Sequence, residues 1–443
     1  MFENLLVAFH TLGCKLNFSE TSTLIRQFEN KKFQITSFDS FADVYVINTC
    51  SVTENADKEC HKLVRKVMRQ NPHAYVIITG CYAQLKPTEI QQISGVDLVL
   101  GAKEKFHLFD YIQDFHKRDY GHSFVGGLED LNEFKPSFSS DERTRAFLKV
   151  QDGCDYPCTY CTIPLARGKS RSPYIQQVIE QAQRIIDKGH HEIVLTGVNV
   201  GDFHNDKKET FFDLLQELEK LSMKRIRISS IEPNLLTDEI IEFVAHSKVF
   251  MPHFHIPLQS GSSKILRLMK RRYKKELYEQ RVQKIKDLLP HACIGVDVIV
   301  GFPNETDEDF QETYQFLHEL PISYLHVFSY SSRENTLAAK MDNQVSNEIK
   351  NLRSKILRNL SEKKKHQFAA DFLNLEKEIL LENKIQNGMR MGHTDNYLKV
   401  WIPLDESEGF IKVKLAQHIG SDEFLGEVIH NGNIMENKLL NFI

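Results

Sequence analysis

Three cysteines, Cys154, Cys158 and Cys161, fall within eight positions in the stretch "DGCDYPCTYCTIP". A pair would read as a redox couple or half a zinc site, and four would close a tetrahedral metal shell. No further Cys or His stands in register to complete a zinc site, and Thr162 occupies the place where covalent haem attachment would need histidine. A four-iron cluster held by three thiolates keeps one iron open to another ligand, so the trio fits that chemistry. Cys14 in "AFHTLGCKLN", Cys50 in "VINTCSVT" and Cys81 in "IITGCYAQ" each follow an apolar run that reads as a strand. In a parallel sheet such positions gather at one edge, where ligands bind and helix amino termini favour thiolates. A second cluster is therefore expected there, with three buried structural cysteines as the alternative. Cys60 and Cys293 fall inside apolar helix and strand patterns and read as core.

The elements that must position these thiols show two successive alternations of strand and helix. Strands near 3–9, 43–48, 75–79 and 97–100, with helices over 18–30, 53–70, 86–93 and 103–115, point to a parallel α/β sheet domain spanning residues 1–125. Residues 126–143 are polar and read as a linker. A longer alternation over 140–370 places strands near 146–150, 191–195, 225–229, 253–258, 293–300 and 324–330. Six such units fit a partial (β/α)6 barrel, whose chemistry belongs at the carboxyl ends of its strands. Polar or glycine residues stand at those ends: Gly197, Asn199, Ser230, Glu232, Gln259, Ser260, Asp297, Gly301, Ser329 and Arg333. Singly each reads as a loop residue or helix cap. Together with Tyr160, inside the cysteine trio, they would suit a nucleotide-like cofactor. A charged helical stretch follows over 344–379. The tail, residues 375–443, carries short alternating runs such as "NYLKVWIPL", as in a small β-barrel.

With both cysteine sets in view, the chain resembles the radical S-adenosylmethionine (SAM) methylthiotransferases along essentially its whole length. "TLGCKLN", "VINTCSVT" and "GCYAQ" carry the resemblance in the amino-terminal domain. "QDGCDYPCTYCTIPLARGKSRS", "LQSGSSKILRLMKRRY" and "GVDVIVGFPNET" carry it in the barrel, and the tail resembles a TRAM domain. The resemblance implies two [4Fe-4S] clusters: Cys154, Cys158 and Cys161 holding the one that cleaves SAM, and Cys14, Cys50 and Cys81 an auxiliary one that carries or supplies sulfur. It also implies that one SAM methylates sulfur while a second yields a radical that abstracts hydrogen from an unactivated carbon. Lys15 directly after Cys14, and "ARGKSRS" after the trio, look like the branch that modifies C2 of N6-threonylcarbamoyladenosine in tRNA. Leu165 and Asn304 stand where that branch often has Tyr and Gly. Isopentenyladenosine in tRNA and a ribosomal protein side chain are the alternative substrates. A zinc-stabilised RNA-binding protein is the reading without catalysis.

A net charge of −4 over 443 residues announces no polyanion partner, so tRNA phosphates require local patches. Candidates are "LRLMKRRYKK" (266–275), "EKKKH" (362–366), "HKLVRKVMR" (61–69), and above all the tail, with Lys412, Lys414 and "GHTDNYLKVW". Trp401, as a lone Trp in a strand, reads first as core. An electron donor such as flavodoxin or ferredoxin and a sulfur source are expected partners. No apolar run approaches membrane-span length and no leader pattern opens the chain, so a cytoplasmic location is expected; a monomer is expected as well.

Overall fold

A computed structural model of the chain describes residues 5–51, 54–129, 131, 133–139, 144–404, 408–430, 433 and 434. The first sheet contains β1 (Leu6–Thr11), β2 (Gln34–Thr36), β3 (Val44–Thr49), β4 (Tyr75–Gly80), β5 (Leu98–Leu100) and β6 (His122–Phe124). These pair in the order β2-β1-β3-β4-β5-β6, all parallel. β3 and β4 are buried along their whole length, as central parallel strands covered on both faces must be. Alternate residues of β3 enter opposite cores, Tyr45 and Ile47 with Cys60 and Val64, Val44 and Val46 with Leu24 and Phe28. β2 and β6, of three residues each, have no apolar run long enough to be read from sequence. The helix expected over 103–115 is a 3-10 segment, Glu104–Asp110, broken at His107.

The central barrel is built from β7 (Arg145–Lys149), β8 (Glu192–Thr196), β9 (Arg225–Ile228), β10 (His253–His255), β11 (Cys293–Val300) and β12 (Tyr324–Ser329). It forms two three-stranded parallel sheets, β7-β8-β9 and β10-β11-β12. Parallel bridges Ile226–Phe250 and Ser230–His255 join them across β9 and β10. Six strands in chain order with helices between them make the expected partial barrel. β10 is shorter than expected, although Ile256 and Leu258 on either side of Pro257 still donate to the carbonyls of Gly295 and Asp297 on β11.

After the helix Asn347–Ala370 come β13 (Glu376–Gln386), β14 (Met389–Thr394), β15 (Lys399–Pro403), β16 (Phe410–His418), β17 (Glu423–His430) and β18 (Asn433–Ile434). Pairing of β15 with β17 closes the small barrel around Ile379, Val400, Leu415 and Phe424. The end of β14, with the connection to β15, plugs the floor of the central barrel. Arg225 donates to the carbonyls of His393 and Glu378, and Arg227 to those of Thr394 and Asp395. Arg145 donates to the Tyr397 hydroxyl at 2.8 Å. The "GHTDNYLKVW" segment, expected as an RNA grip, is thus largely spent on this interface. Trp401 is core: it is 8% exposed and its indole donates to Glu423 at 3.0 Å. Among the described residues no helix is long and apolar enough to cross a membrane.

Candidate active site

The loop after β7 carries the first cysteine trio, and each sulfur receives a donor. The Tyr156 N–H points at Cys154 Sγ and the Ile163 N–H at Cys161 Sγ, both at 3.4 Å. Arg271 Nη1 lies 3.1 Å from Cys158 Sγ. Burial pushes the Cys154 thiol up to about 11 and the Cys161 thiol up to about 12. Thiols crowded and desolvated in this way ionise only when a cation shares the charge, as metal binding provides.

Cys14 caps the helix Lys15–Asn30, Cys50 follows β3 and Cys81 opens the short helix Cys81–Leu85. Gly13 turns the chain at φ +102° against Cys50, where an added Cβ would lie 2.6 Å from the Cys50 Cβ. Only glycine allows both the turn and the approach. Cys14 and Cys81 lie within electrostatic reach of one another, and burial pushes the Cys81 thiol up against the pull of Arg167. A cavity of about 370 Å³ is lined by Ser51, Tyr82 and Thr162, among others, and by no cysteine. Those three residues are the chain neighbours of Cys50, Cys81 and Cys161.

A second cavity, about 230 Å³, opens on the barrel side and is lined by Tyr160, Cys161, Gln259, Asp297 and Phe328, among others. Thr162 borders both cavities. The Asp297 carboxyl faces His255 Nε2 at 3.0 Å and His326 Nδ1 at 3.4 Å. Burial opposes its ionisation, but these two imidazoles hold it well below the usual carboxylate range. Ser230 Oγ lies 2.6 Å from His255 Nδ1.

Asn199 is buried with neither amide atom hydrogen-bonded, and the Ser229 hydroxyl is likewise unpartnered. Gly197 packs on Gln151, whose Oε1 accepts from the N–H groups of Val198 and Asn199. Of the expected rim residues, Ser260 lines neither cavity and Arg333 lines the first, not the second. Ser260 is fully buried with its hydroxyl 3.2 Å from Thr313, and Arg333 reaches the amino-terminal domain, donating to Ser51 and Asp57 at 2.7 Å. Asn304 adopts φ +67°, the conformation glycine takes most readily.

Residues 148–317 match the family model described as the radical SAM superfamily, and residues 6–101 one described as uncharacterized protein family UPF0004. The threonylcarbamoyladenosine tRNA methylthiotransferase MtaB of Bacillus subtilis is 43% identical, over 89% of this chain and 89% of its own. Its namesake from Aquifex aeolicus is 40% identical, covering 89% of this chain and 96% of its own. The chain belongs to the radical SAM methylthiotransferases. A tRNA-2-methylthio-N(6)-dimethylallyladenosine synthase of Clostridium botulinum is 31% identical over 88% of this methylthiotransferase and 90% of its own chain. The fold is also that of the radical SAM methyltransferase TsrM of Kitasatospora setae. That structure superposes with TM-score 0.52 at 13% identity, covering 74% of this chain and 75% of TsrM.

Sequence reading missed two groups in this methylthiotransferase. Arg271 belongs to a basic run expected to face RNA, yet its side chain is 3% exposed and paired with Glu232. It contacts Cys158 and Tyr160 instead. Glu20, fully buried, binds Arg167 at 2.9 Å, Lys105 at 2.6 Å and Lys149 at 3.1 Å. Arg167 in turn reaches Asn17 and Asp152, so one ionic network joins the helix after Cys14 to the loop that carries Cys154.

Proposed function

We propose that this methylthiotransferase adds a methylthio group to C2 of N6-threonylcarbamoyladenosine in tRNA, beside the anticodon. The observation that carries the reading is the pair of cysteine trios on facing elements: the short helix opened by Cys81 packs on the one that follows Cys161, and Thr162 lines both cavities. Cys154, Cys158 and Cys161 would hold one [4Fe-4S] cluster and Cys14, Cys50 and Cys81 the other. Bound there, the clusters supply the one-electron chemistry and the sulfur carriage that substitution at an unactivated carbon demands. The donor set fits: each sulfur of the first trio has an N–H aimed at it. A single tetrahedral zinc would hold its sulfurs about 3.8 Å apart, from Zn–S bonds of about 2.3 Å. Among the described residues the only metal-ligating trio with all ligand atoms within 4.8 Å is His255, Asp297 and His326. Neither cysteine set is drawn together as one zinc ion requires.

The protein's own residues bind, orient and exclude water. Arg271, fixed by Glu232, neutralises the Cys158 thiolate. Tyr160, Gln259 and Asp297 line the space for SAM, and the free amide of Asn199 offers it a donor and an acceptor. Ser230 orients His255. Exposed basic residues on the helix Glu54–Gln70 and on β16 contribute to the tRNA surface. On β16, Lys412 and Lys414 stand opposite Glu378 and Glu376, which temper their charge. Electrons come from a small carrier such as flavodoxin or ferredoxin and sulfur from a separate donor, and the enzyme works as a cytoplasmic monomer. Mass spectrometry of tRNA nucleosides from cells with and without the gene tests the reading. Loss of 2-methylthio-N6-threonylcarbamoyladenosine with accumulation of its precursor is expected. Loss of the isopentenyl analogue instead would transfer the chemistry to another substrate.

A further inference from the structure

Lys15 follows Cys14 directly, at the first position of its helix, and its side chain is exposed. Its helix packs on β7 of the central barrel. Arg145, Glu192 and Arg227, from β7, β8 and β9, lie within its electrostatic reach, as does Tyr397 of the floor plug. His253 of β10 shares the same space. The other cations there are committed. Arg145 is held by Glu382 at 3.0 Å and by Tyr397, and Arg227 by Glu192 at 2.8 Å and by two carbonyls. Among the described residues Lys15 has neither hydrogen bond nor ion pair. An uncommitted cation enclosed by protein is costly until an anion joins it.

We propose that Lys15 reads the carboxylate of the threonylcarbamoyl group, making it the residue that selects this substrate. The proposal rests on the reading of the substrate given above. In the adenine ring C2 and C6 both flank N1, so the sulfur that reaches C2 and the substituent on N6 occupy the same edge of the base. A cation one residue from Cys14 is therefore placed to meet that substituent. Of the groups that distinguish the candidate adenosines, only the threonyl carboxylate is an anion. Isopentenyladenosine would leave Lys15 uncompensated, the kind of mismatch by which polar sites reject apolar analogues.

The test measures binding of anticodon stem-loops to the cluster-loaded enzyme and to Lys15→Gln, with iron content as the check on folding. The stem-loops carry threonylcarbamoyladenosine, its neutral carboxamide, isopentenyladenosine or plain adenosine. The wild-type enzyme should prefer carboxylate to carboxamide by about 10- to 100-fold, the range of a charge-assisted hydrogen bond. Lys15→Gln should erase that preference and Lys15→Arg should restore part of it. A preference that survives in Lys15→Gln would overturn the assignment of Lys15. Equal wild-type affinity for carboxylate and carboxamide, both above plain adenosine, would overturn carboxylate recognition while leaving the substrate standing. Tightest binding of the isopentenyl stem-loop would overturn both. Should Lys15→Gln fail to load iron, the wild-type comparison alone still decides whether a carboxylate is read.

Discussion

The Arg167 guanidinium lies 2.9 Å from the Glu20 carboxylate, joining the loop of one cysteine trio to the helix that begins beside the other. Glu20 is completely buried, and three cations converge on it. Desolvating so many charges is repaid only when every partner is in place. The network therefore fixes how the amino-terminal sheet sits against the barrel, and with it the separation of the two sulfur sites.

Glu20→Gln should destabilise the protein by about 3–5 kcal/mol at neutral pH, because Arg167, Lys105 and Lys149 lose their shared anion. Burial favours the neutral acid, but the three cations hold the Glu20 carboxyl well below its ordinary range. Its contribution is thus present above the unfolded value of about 4.3 and is lost as pH falls through the folded one. Urea unfolding as a function of pH checks this. The wild-type midpoint should fall steeply below about pH 4, and that of Glu20→Gln should fall less.

Arg271→Met removes the donor on Cys158 Sγ and leaves the half-buried Glu232 without its cation. Iron should still load, but SAM cleavage to 5′-deoxyadenosine should fall by about 10- to 100-fold, as when residues supporting metal ligands are removed. A redox titration should show a more negative midpoint, since a hydrogen bond to sulfur stabilises the reduced cluster. An unchanged midpoint would refute this role.

The two cysteine trios should separate functionally. Cys158→Ala should abolish SAM cleavage and product together. Cys50→Ala should retain some 5′-deoxyadenosine formation, measured by chromatography, and make no methylthiolated nucleoside. Normal product from Cys50→Ala would remove the auxiliary role from the amino-terminal trio.

Gly13→Ala should lose the iron of that trio, about half the total, because its methyl would meet the Cys50 side chain at a φ hostile to Cβ. Gly189 supplies the control. It has φ +83° and open space around it, so Gly189→Ala should strain the backbone by about 1–2 kcal/mol without touching iron content. Elemental analysis of both variants reads the difference.

The cysteines and the order of strands were legible because spacing and apolar runs are local properties. What escaped was the direction each polar side chain takes. Arg271 and Arg272 are adjacent members of one basic run, yet the first is buried against Cys158 and the second lies over the Tyr156 ring. Nothing in the run distinguishes them, since the difference comes from Glu232, which is distant in sequence. Glu20 reads as one more polar position of an amphipathic helix. The cluster of His255, Asp297 and His326 is assembled by neighbouring strands and leaves no local trace. β2 and β6 were missed because three-residue edge strands bury too little to leave an apolar run.

The end of β14 and the connection after it close the barrel floor, giving the carbonyls of His393, Thr394 and Asp395 to Arg225 and Arg227. A chain truncated after the helix Asn347–Ala370 would leave those guanidinium groups facing a hole. The carboxy-terminal module is therefore no detachable handle for RNA. It serves as a keel as well, so any pull on it is felt at the bottom of the barrel.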